Sequence, residues 1–433
     1  MTSFESPPDR ARVVITGAGV VCSLGRTRDE LWDAIAQGRS GVGAITRFDA
    51  SRFTSRIAAE VPDADARDER LDEAYWDTLD RRSRFAVSAG LSALQDSGLS
   101  LTAQNRGRIG VLMASERPEE DLLLAAAGQL GAGDVDAAAT TLAANARPHA
   151  PAERIGALLG VTGPVIQFQN RSAGGLTAII EGAEMIRRGD VAAVLAGGAD
   201  TPITPITLAA FQGTGALSRR NDEPQAASRP LDADRDGFVL GEGAAVLVLE
   251  SLELARSRGA RVLAEIEGEG ITFSASEGGH PTTDPVQIGA ALQHTLTTSG
   301  RIQGEIDVIA LHAAGTIDGD RVEAAGVQRI FGASARHHLY TPALKSMTGH
   351  LLAASGPLSA VIMLGALAAQ QIPGTINLER EDDECDLDGN ASGTRADSVR
   401  VVIVNATGWA HNAAILLAHP DAMRPDPEPV ESE

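Results

Sequence analysis

Four residues of this 433-residue chain have the types and settings that chemistry uses: Ser172, His312, Lys345 and His350. Ser172 lies in "PVIQFQNRSAGGLTAIIEGAEMIRRGD" (164–190), where an apolar strand runs through "NRSAGG" into a helix. A small residue at such an elbow is expected to be exposed and to face a helix N-terminus, where backbone N–H groups and the helix dipole favour an anion. Enzymes of the α/β class place nucleophiles at turns of this kind. The ordinary role for Ser172 is the N-cap of the same helix. His312 follows the strand "IDVIAL" and precedes the glycine-bearing loop "AAGTIDGD"; His350 ends "KSMTGH" at the start of another helix. One histidine at a strand end is more often structural than catalytic. Two of them can donate jointly to a developing enolate or oxyanion.

Lys345 is the single lysine among 37 Lys and Arg residues. A surface cation could have been either type. A site that needs a compact, rotatable ammonium could not, because Arg presents a planar fork. Such an ammonium can hold a neighbouring carboxylate or histidine in position.

Short β-branched runs alternate with helical patterns along most of the chain. "TRDELWDAIAQG" predicts a helix capped by Thr27 and stopped at Gly38. "GAGVVC" (17–22) has two glycines of a dinucleotide fingerprint but Cys22 in place of the third. Gly17 and Gly19 therefore read as a tight strand-to-helix turn, and no cofactor is expected. Apolar strands alternating with helices predict an α/β protein with mostly parallel sheets covered on both faces, in two similar halves joined near residue 255. "SAVIMLGALAA" is short for a membrane span and reads as a buried helix. The charged loop 218–237 lacks the spacing of a calcium loop; a salt-bridged loop near the surface and no metal site are expected. The polar, proline-bearing ends, 1–11 and 420–433, are expected to be disordered.

A net charge of −21 argues against nucleic acid and anionic membranes as partners. Two cysteines and an N-terminal stretch without an apolar run fit a cytoplasmic protein.

At a longer scale, "VVITGAGVVCSLG", "RFDASRF", "AGGAD", "ALSRRNDEPQAASRPLDADRDGFVLGEGAAVLVLE", "KSMTGH" and "DDECDLD" resemble, in order over residues 12–418, the signatures of the β-ketoacyl synthase family. The resemblance implies a thiolase-like five-layer α-β-α-β-α fold. One half would span 12–255 and carry Ser172; the other would span 256–419 and carry His312, Lys345 and His350. In active members an elbow Cys takes the acyl group from an acyl carrier protein. Two His polarise the malonyl thioester carbonyl as CO2 leaves, and a Lys supports the second His. Ser172 fills the Cys slot, and His312, Lys345 and His350 match the rest. The resemblance also implies substrate contacts from Thr316, Asn405, Thr407 and Trp409.

The chain departs from that pattern at three places. The elbow reads Ser172-Ala173-Gly174-Gly175, and "AGGL" resembles the chain-length factors, the type II polyketide synthase β subunits that lack the Cys. "HAAGT" (312–316) and "NATGWAHN" (405–412) alter the pantetheine and gating loops. A Ser hydroxyl is a far weaker acid than a Cys thiol and needs a base. The expected function is thus a non-condensing subunit that acts in chain elongation with a Cys-bearing ketosynthase, as a heterodimer or homodimer, and with an acyl carrier protein. The alternatives are a Ser172-dependent acyltransferase or malonyl decarboxylase, and an autonomous 3-oxoacyl synthase. The Ala-rich stretch 120–165 is expected to form part of the dimer surface. Arg81, Arg82, Arg84, Arg219 and Arg220 are the expected basic patch for an acidic carrier protein.

Overall fold

Nine strands form the framework: β1 (Val13–Val21), β2 (Ile109–Ala114), β3 (Val165–Phe168), β4 (Ala193–Asp200), β5 (Gly243–Ser251), β6 (Ala264–Phe273), β7 (Val308–Ala310), β8 (Val401–Gly408) and β9 (His411–Ala418). The computed structural model describes residues 11–62, 67–145, 149–275 and 283–425. Most of the two ends expected to be disordered, 1–10 and 426–433, lies outside the described residues. Pro420–Ala422 form a 3-10 turn.

The strands hydrogen-bond in the order β7-β8-β9-β6-β1-β5-β4-β2-β3. An internal repeat is visible in that order. β1·β5 and β5·β4 are antiparallel and β4·β2 is parallel. In the same sequence, β6·β9 and β9·β8 are antiparallel and β8·β7 is parallel. The halves meet where Val13–Ile15 of β1 pair with Ala264–Ile266 of β6.

The expectation of mostly parallel sheets is not met: five of the eight neighbouring pairs are antiparallel. Burial explains the misreading. Both faces of each half sheet are covered, so strands of either direction carry apolar side chains at every position. On β5, Leu247 and Leu249 face one core while Val246 and Val248 face another. On β8, Val402 and Val404 face the first core and Ile403 a third.

The helices complete the five layers. α1 (Arg28–Ala36) begins with the Thr27 capping box, and Gly38 follows its end at φ 67°. α2 (Arg81–Ser97) covers the outer face of the first half, with Phe85, Ala89 and Ala93 in its core. α3 (Glu120–Gly131) and α4 (Val135–Asn145) lie beyond β2. α5 (Gly174–Arg187) and, later in the chain, α8 (Ser355–Ala369) form the central layer, burying Leu176, Ile179, Leu358 and Val361 between the half sheets. α6 (Pro285–Ser299) and α7 (Ile317–Phe331) cover the outer face of the second half through Leu292, Leu296 and Val327. Leu352–Ala369 is, among the described residues, the one helical stretch long and apolar enough to cross a membrane, and 89% of it is buried in the protein.

Gly17 and Gly19 make no turn; both lie within β1, whose register against β5 shifts between Ile15 and Gly17. They are glycine because α2 crosses the strand at backbone contact. A Cβ on Gly17 would lie 2.3 Å from the Ala93 carbonyl oxygen, and one on Gly19 2.0 Å from that of Ala89. A glycine pair after an apolar run looks the same in sequence whether it serves a turn or a close approach.

Candidate active site

β3 ends at Phe168, and the chain turns sharply through Arg171, which adopts φ 51°. One 3-10 turn, Arg171–Ala173, then leads into α5. Ser172 sits in that turn and is buried rather than exposed. It is not the N-cap: Ala173 holds that position, and no side chain caps α5. The Ser172 hydroxyl faces inward, with Oγ 3.2 Å from Nε2 of His350 and 3.2 Å from Oε2 of Glu116. The elbow is tight. A Cβ on Gly408, at the end of β8, would come within 2.7 Å of the Ser172 backbone nitrogen.

His350 is fixed through its backbone, donating its N–H to Val239 at 2.7 Å and accepting from Gly241 at 2.9 Å. Its Nδ1 lies 2.9 Å from Oγ of Ser355, and that oxygen accepts the Leu351 N–H at 2.8 Å. Ser355 is buried, so its own proton needs an acceptor, and Nδ1 is the acceptor in reach. This assigns the proton of His350 to Nε2. His350 then donates to Ser172, and Ser172 donates to the Glu116 carboxylate. The group placed to accept a proton from Ser172 is therefore Glu116, not a histidine.

His312 stands edge-on to His350, with ring centroids 5.1 Å apart and planes at 85°. Its Nδ1 is buried without a hydrogen-bond partner among the described residues. Burial, reinforced by the Lys345 charge, holds both imidazoles well below the usual histidine range. They face the cavity as neutral rings.

Lys345 converges on the same site, with one correction. Its Nζ donates to the backbone carbonyl of His312, the first histidine, and not to His350. Burial pulls its pKa down to about 8, while Glu323 and Asp320 oppose that shift. Sequence reasoning missed Glu323. Its oxygens accept the N–H groups of His312 at 2.7 Å and Ala313 at 2.6 Å, and Nδ2 of Asn405 at 2.6 Å. Its helix, α7, carries polar and charged residues along its length, so an inward-facing acid there has no separate signal in the sequence.

Glu116 was missed as well. It follows the end of β2, and Ser172 follows the end of β3, the adjacent parallel strand. Carboxyl ends of neighbouring parallel strands are where α/β sheets gather reactive groups. Burial raises the Glu116 pKa, and Arg171, 3.8 Å away, opposes the rise. Behind it, the buried Asp200 carboxylate accepts N–H groups from Glu116, Arg117 and Ala353. Burial pushes Asp200 up to about 7.

A cavity of about 250 Å³ opens over these groups. Glu116, Ser172, His312 and His350 line its floor, Phe211, Phe238 and Leu352 add apolar wall, and Asp320 lies along it. Of the four expected substrate contacts, Thr316, Thr407 and Trp409 line the cavity and Asn405 does not. Asn405, two residues before Thr407 on the same face of β8, is buried deeper, with its amide donating to Glu323. Trp409 sits at the β8–β9 turn with φ 57°, half exposed, under the Arg171 guanidinium at 4.7 Å.

Two further expectations are corrected. The loop 218–237 is in part a buried brace. Arg235, 1% exposed, bonds to Asp382 at 2.8 Å and to the Ile317 carbonyl at 2.7 Å, which fixes the segment after His312. Arg81 and Arg82 offer no docking surface. Arg81 is paired with the buried Glu242 at 2.7 Å, and Arg82 is 1% exposed with its guanidinium on the Arg117 carbonyl. Arg84 lies over Trp76, Arg220 bonds to the Asp234 carbonyl, and Arg219 is exposed.

Two mixed half sheets around a pair of central helices, with a small-residue elbow facing two histidines, define a thiolase-like fold. The chain belongs to the β-ketoacyl synthase family. The family's N-terminal domain matches residues 10–255 and its C-terminal domain residues 263–379. It is 35% identical to the 3-oxoacyl-(acyl-carrier-protein) synthase 2 of Vibrio harveyi, over 92% of this chain and 96% of that protein. It is 36% identical to the tetracenomycin polyketide synthase ketoacyl synthase alpha subunit of Streptomyces glaucescens, over 95% and 98%. Among solved structures, the ishigamide ketosynthase/chain length factor superposes with a TM-score of 0.86 at 32% identity, covering 95% of this chain and 100% of that one. A type II polyketide synthase acyl-carrier protein in complex with its ketosynthase bound to the hexaketide gives a TM-score of 0.84 at 27% identity, over 95% and 100%.

Proposed function

We propose that this chain is a non-condensing, chain-length-factor-like subunit of a type II polyketide or fatty-acid-type synthase. It would act beside a Cys-bearing ketosynthase and an acyl carrier protein. One observation carries the reading: the nucleophile slot holds Ser172, whose hydroxyl is spent between His350 and the Glu116 carboxylate. A neighbouring carboxylate opposes formation of an alkoxide, as it would a thiolate. The site keeps the fold's thioester cavity and gives up its nucleophile. The relatives named above, which include a ketosynthase/chain length factor and a carrier-protein complex, support the partners.

The dimer surface of this reading lies along the β3 edge and α3–α4. Val165, Ile166, Leu123, Leu124, Leu130 and Val135 are exposed there. An edge strand with apolar neighbours suits pairing with a second subunit. The test is co-purification with candidate Cys-bearing ketosynthases, followed by product formation with a carrier protein. The subunit reading requires a complex that makes product, and Ser172→Ala in this chain should leave that product in place.

A second reading, Ser-dependent acyl transfer, has one observation in its favour, the base-to-nucleophile contact of Glu116 with Ser172. It requires an acyl ester on Ser172, detectable by mass spectrometry of the tryptic peptide.

A further inference from the structure

We propose that Glu116 is a specificity-determining residue that makes this cavity reject acyl thioesters carrying a free carboxylate, such as malonyl, while admitting uncharged acyl chains. The inference rests on the reading of the cavity as a thioester site, and it names the acyl class that the site takes.

Charge in the cavity is one-sided. Among the described residues, two carboxylates line it, Glu116 and Asp320, and no Lys or Arg side chain does. The nearest cations lie outside the lining and are already paired. Lys345 donates to the His312 carbonyl. Arg235 lies 3.4 Å from Asp320 and bonds to Asp382. Arg171 stands outside, over Trp409, 3.8 Å from Glu116. Both imidazoles are neutral, so they can donate to a thioester carbonyl but cannot balance a second negative charge. Burial raises the Glu116 pKa, while Arg171 and the Ser172 hydroxyl, which uses one Glu116 oxygen as its acceptor, favour its ionised form.

The cavity is also small. With about 250 Å³ available, an acyl group whose carbonyl reaches the histidines has its far end close to the Ser172–Glu116 floor. A carboxylate there lies within several ångströms of Glu116. At an effective dielectric of about 20, two like charges about 5 Å apart disfavour binding on the order of a hundredfold. An alkyl chain meets Phe211, Phe238 and Leu352 and pays no such penalty. Glu116 thereby separates this site from the malonyl chemistry of condensing relatives independently of the missing Cys.

The test uses the full chain and two non-hydrolysable pantetheine amides, butyryl and malonyl, titrated calorimetrically. The butyryl probe should bind, and the malonyl probe should bind at least about thirtyfold more weakly. In Glu116→Gln, which keeps the shape and an acceptor for Ser172, the malonyl-to-butyryl affinity ratio should rise at least about tenfold. The butyryl probe reports whether the variant is folded. Equal affinities in the wild type, an unchanged ratio in Glu116→Gln, or no butyryl binding at all would each overturn the proposal. None of these results bears on the subunit role, which stands or falls on reconstitution with a ketosynthase.

Discussion

The ammonium of Lys345 donates to the backbone carbonyl of His312, tying the loop before His350 to the strand end that carries the other imidazole. One short donor bridges two segments that are distant in sequence. The group is buried, and Glu323 and Asp320 favour its charge. Lys345→Met should therefore leave the buried Glu323 without its cation and cost about 3 kcal/mol. Lys345→Arg should also lose stability, because a planar fork does not fit a space shaped for an ammonium. Urea unfolding measures both, and an Arg variant as stable as wild type would remove the explanation for this lone lysine.

Ser172→Ala is the second variant of interest. It leaves Nε2–H of His350 and an oxygen of Glu116 without a partner in a buried site. The expected cost is about 1–3 kcal/mol, the price of unsatisfied polar groups rather than of a lost helix cap. Ser172→Cys alone should alkylate slowly with iodoacetamide, because Glu116 opposes the thiolate. Adding Glu116→Gln should accelerate alkylation on the order of tenfold. Equal rates in the single and double variants would show that Glu116 does not govern this position.

Acid should weaken the fold through the histidine pair. Folded His312 and His350 titrate well below 6.5, the value expected when unfolded. Between those values the unfolded chain holds more protons than the folded one. The stability they contribute is thus present above 6.5 and lost as pH falls through the folded values. Asp200, raised to about 7, works with the opposite sign: its contribution is present below 3.8 and lost as pH rises through 7. Comparing His350→Asn with wild type isolates the histidine share. The variant's urea midpoint should change less between about pH 7.5 and about pH 5 than that of wild type.

Gly408→Ala should disturb the elbow from outside the reacting groups. The new methyl would meet the Ser172 nitrogen at 2.7 Å and Cβ of Arg171 at 2.9 Å. Neither is the flexible end of a side chain, so overpacking of about 1–3 kcal/mol is expected, with loss of ligand binding in the cavity. Differential scanning fluorimetry with and without an acyl-pantetheine probe separates the two effects.

Charge reversal of Arg82 should unfold the protein rather than weaken carrier docking, since Arg82 is buried against the Arg117 carbonyl. Arg219→Glu should leave the melting temperature within about 1 °C, as exposed substitutions do. Any effect of Arg219→Glu on carrier binding then reports docking alone.

These residues also show what the sequence made legible. Ser172, His312, Lys345 and His350 stood out because each interrupts an apolar element at its end or is a residue type used sparingly. Glu116 and Glu323 did not stand out, because the chain has 58 acidic residues and only the fold distinguishes the inward-facing ones. Asn405 lay in the right motif, but it is buried one step deeper along β8 than Thr407, with its amide on Glu323. Arg81 and Arg82 looked like a surface patch because sequence does not display a buried partner such as Glu242. Strand direction was hidden by burial on both faces, whereas the family's motifs made the thiolase-like architecture readable.

β1 is shared between the two halves: Val13 pairs with Ser251 on one side and with Ile266 on the other. β1 is therefore made long before either of the strands that flank it. Until residues 244–251 have been synthesised, its backbone donors and acceptors have no native sheet to join. Such non-local pairing makes folding slow and exposes intermediates to association. A fragment ending after Ser251 could close the first half around β1 and would still present Val13–Ile15 as an open edge, a template for a second copy of itself.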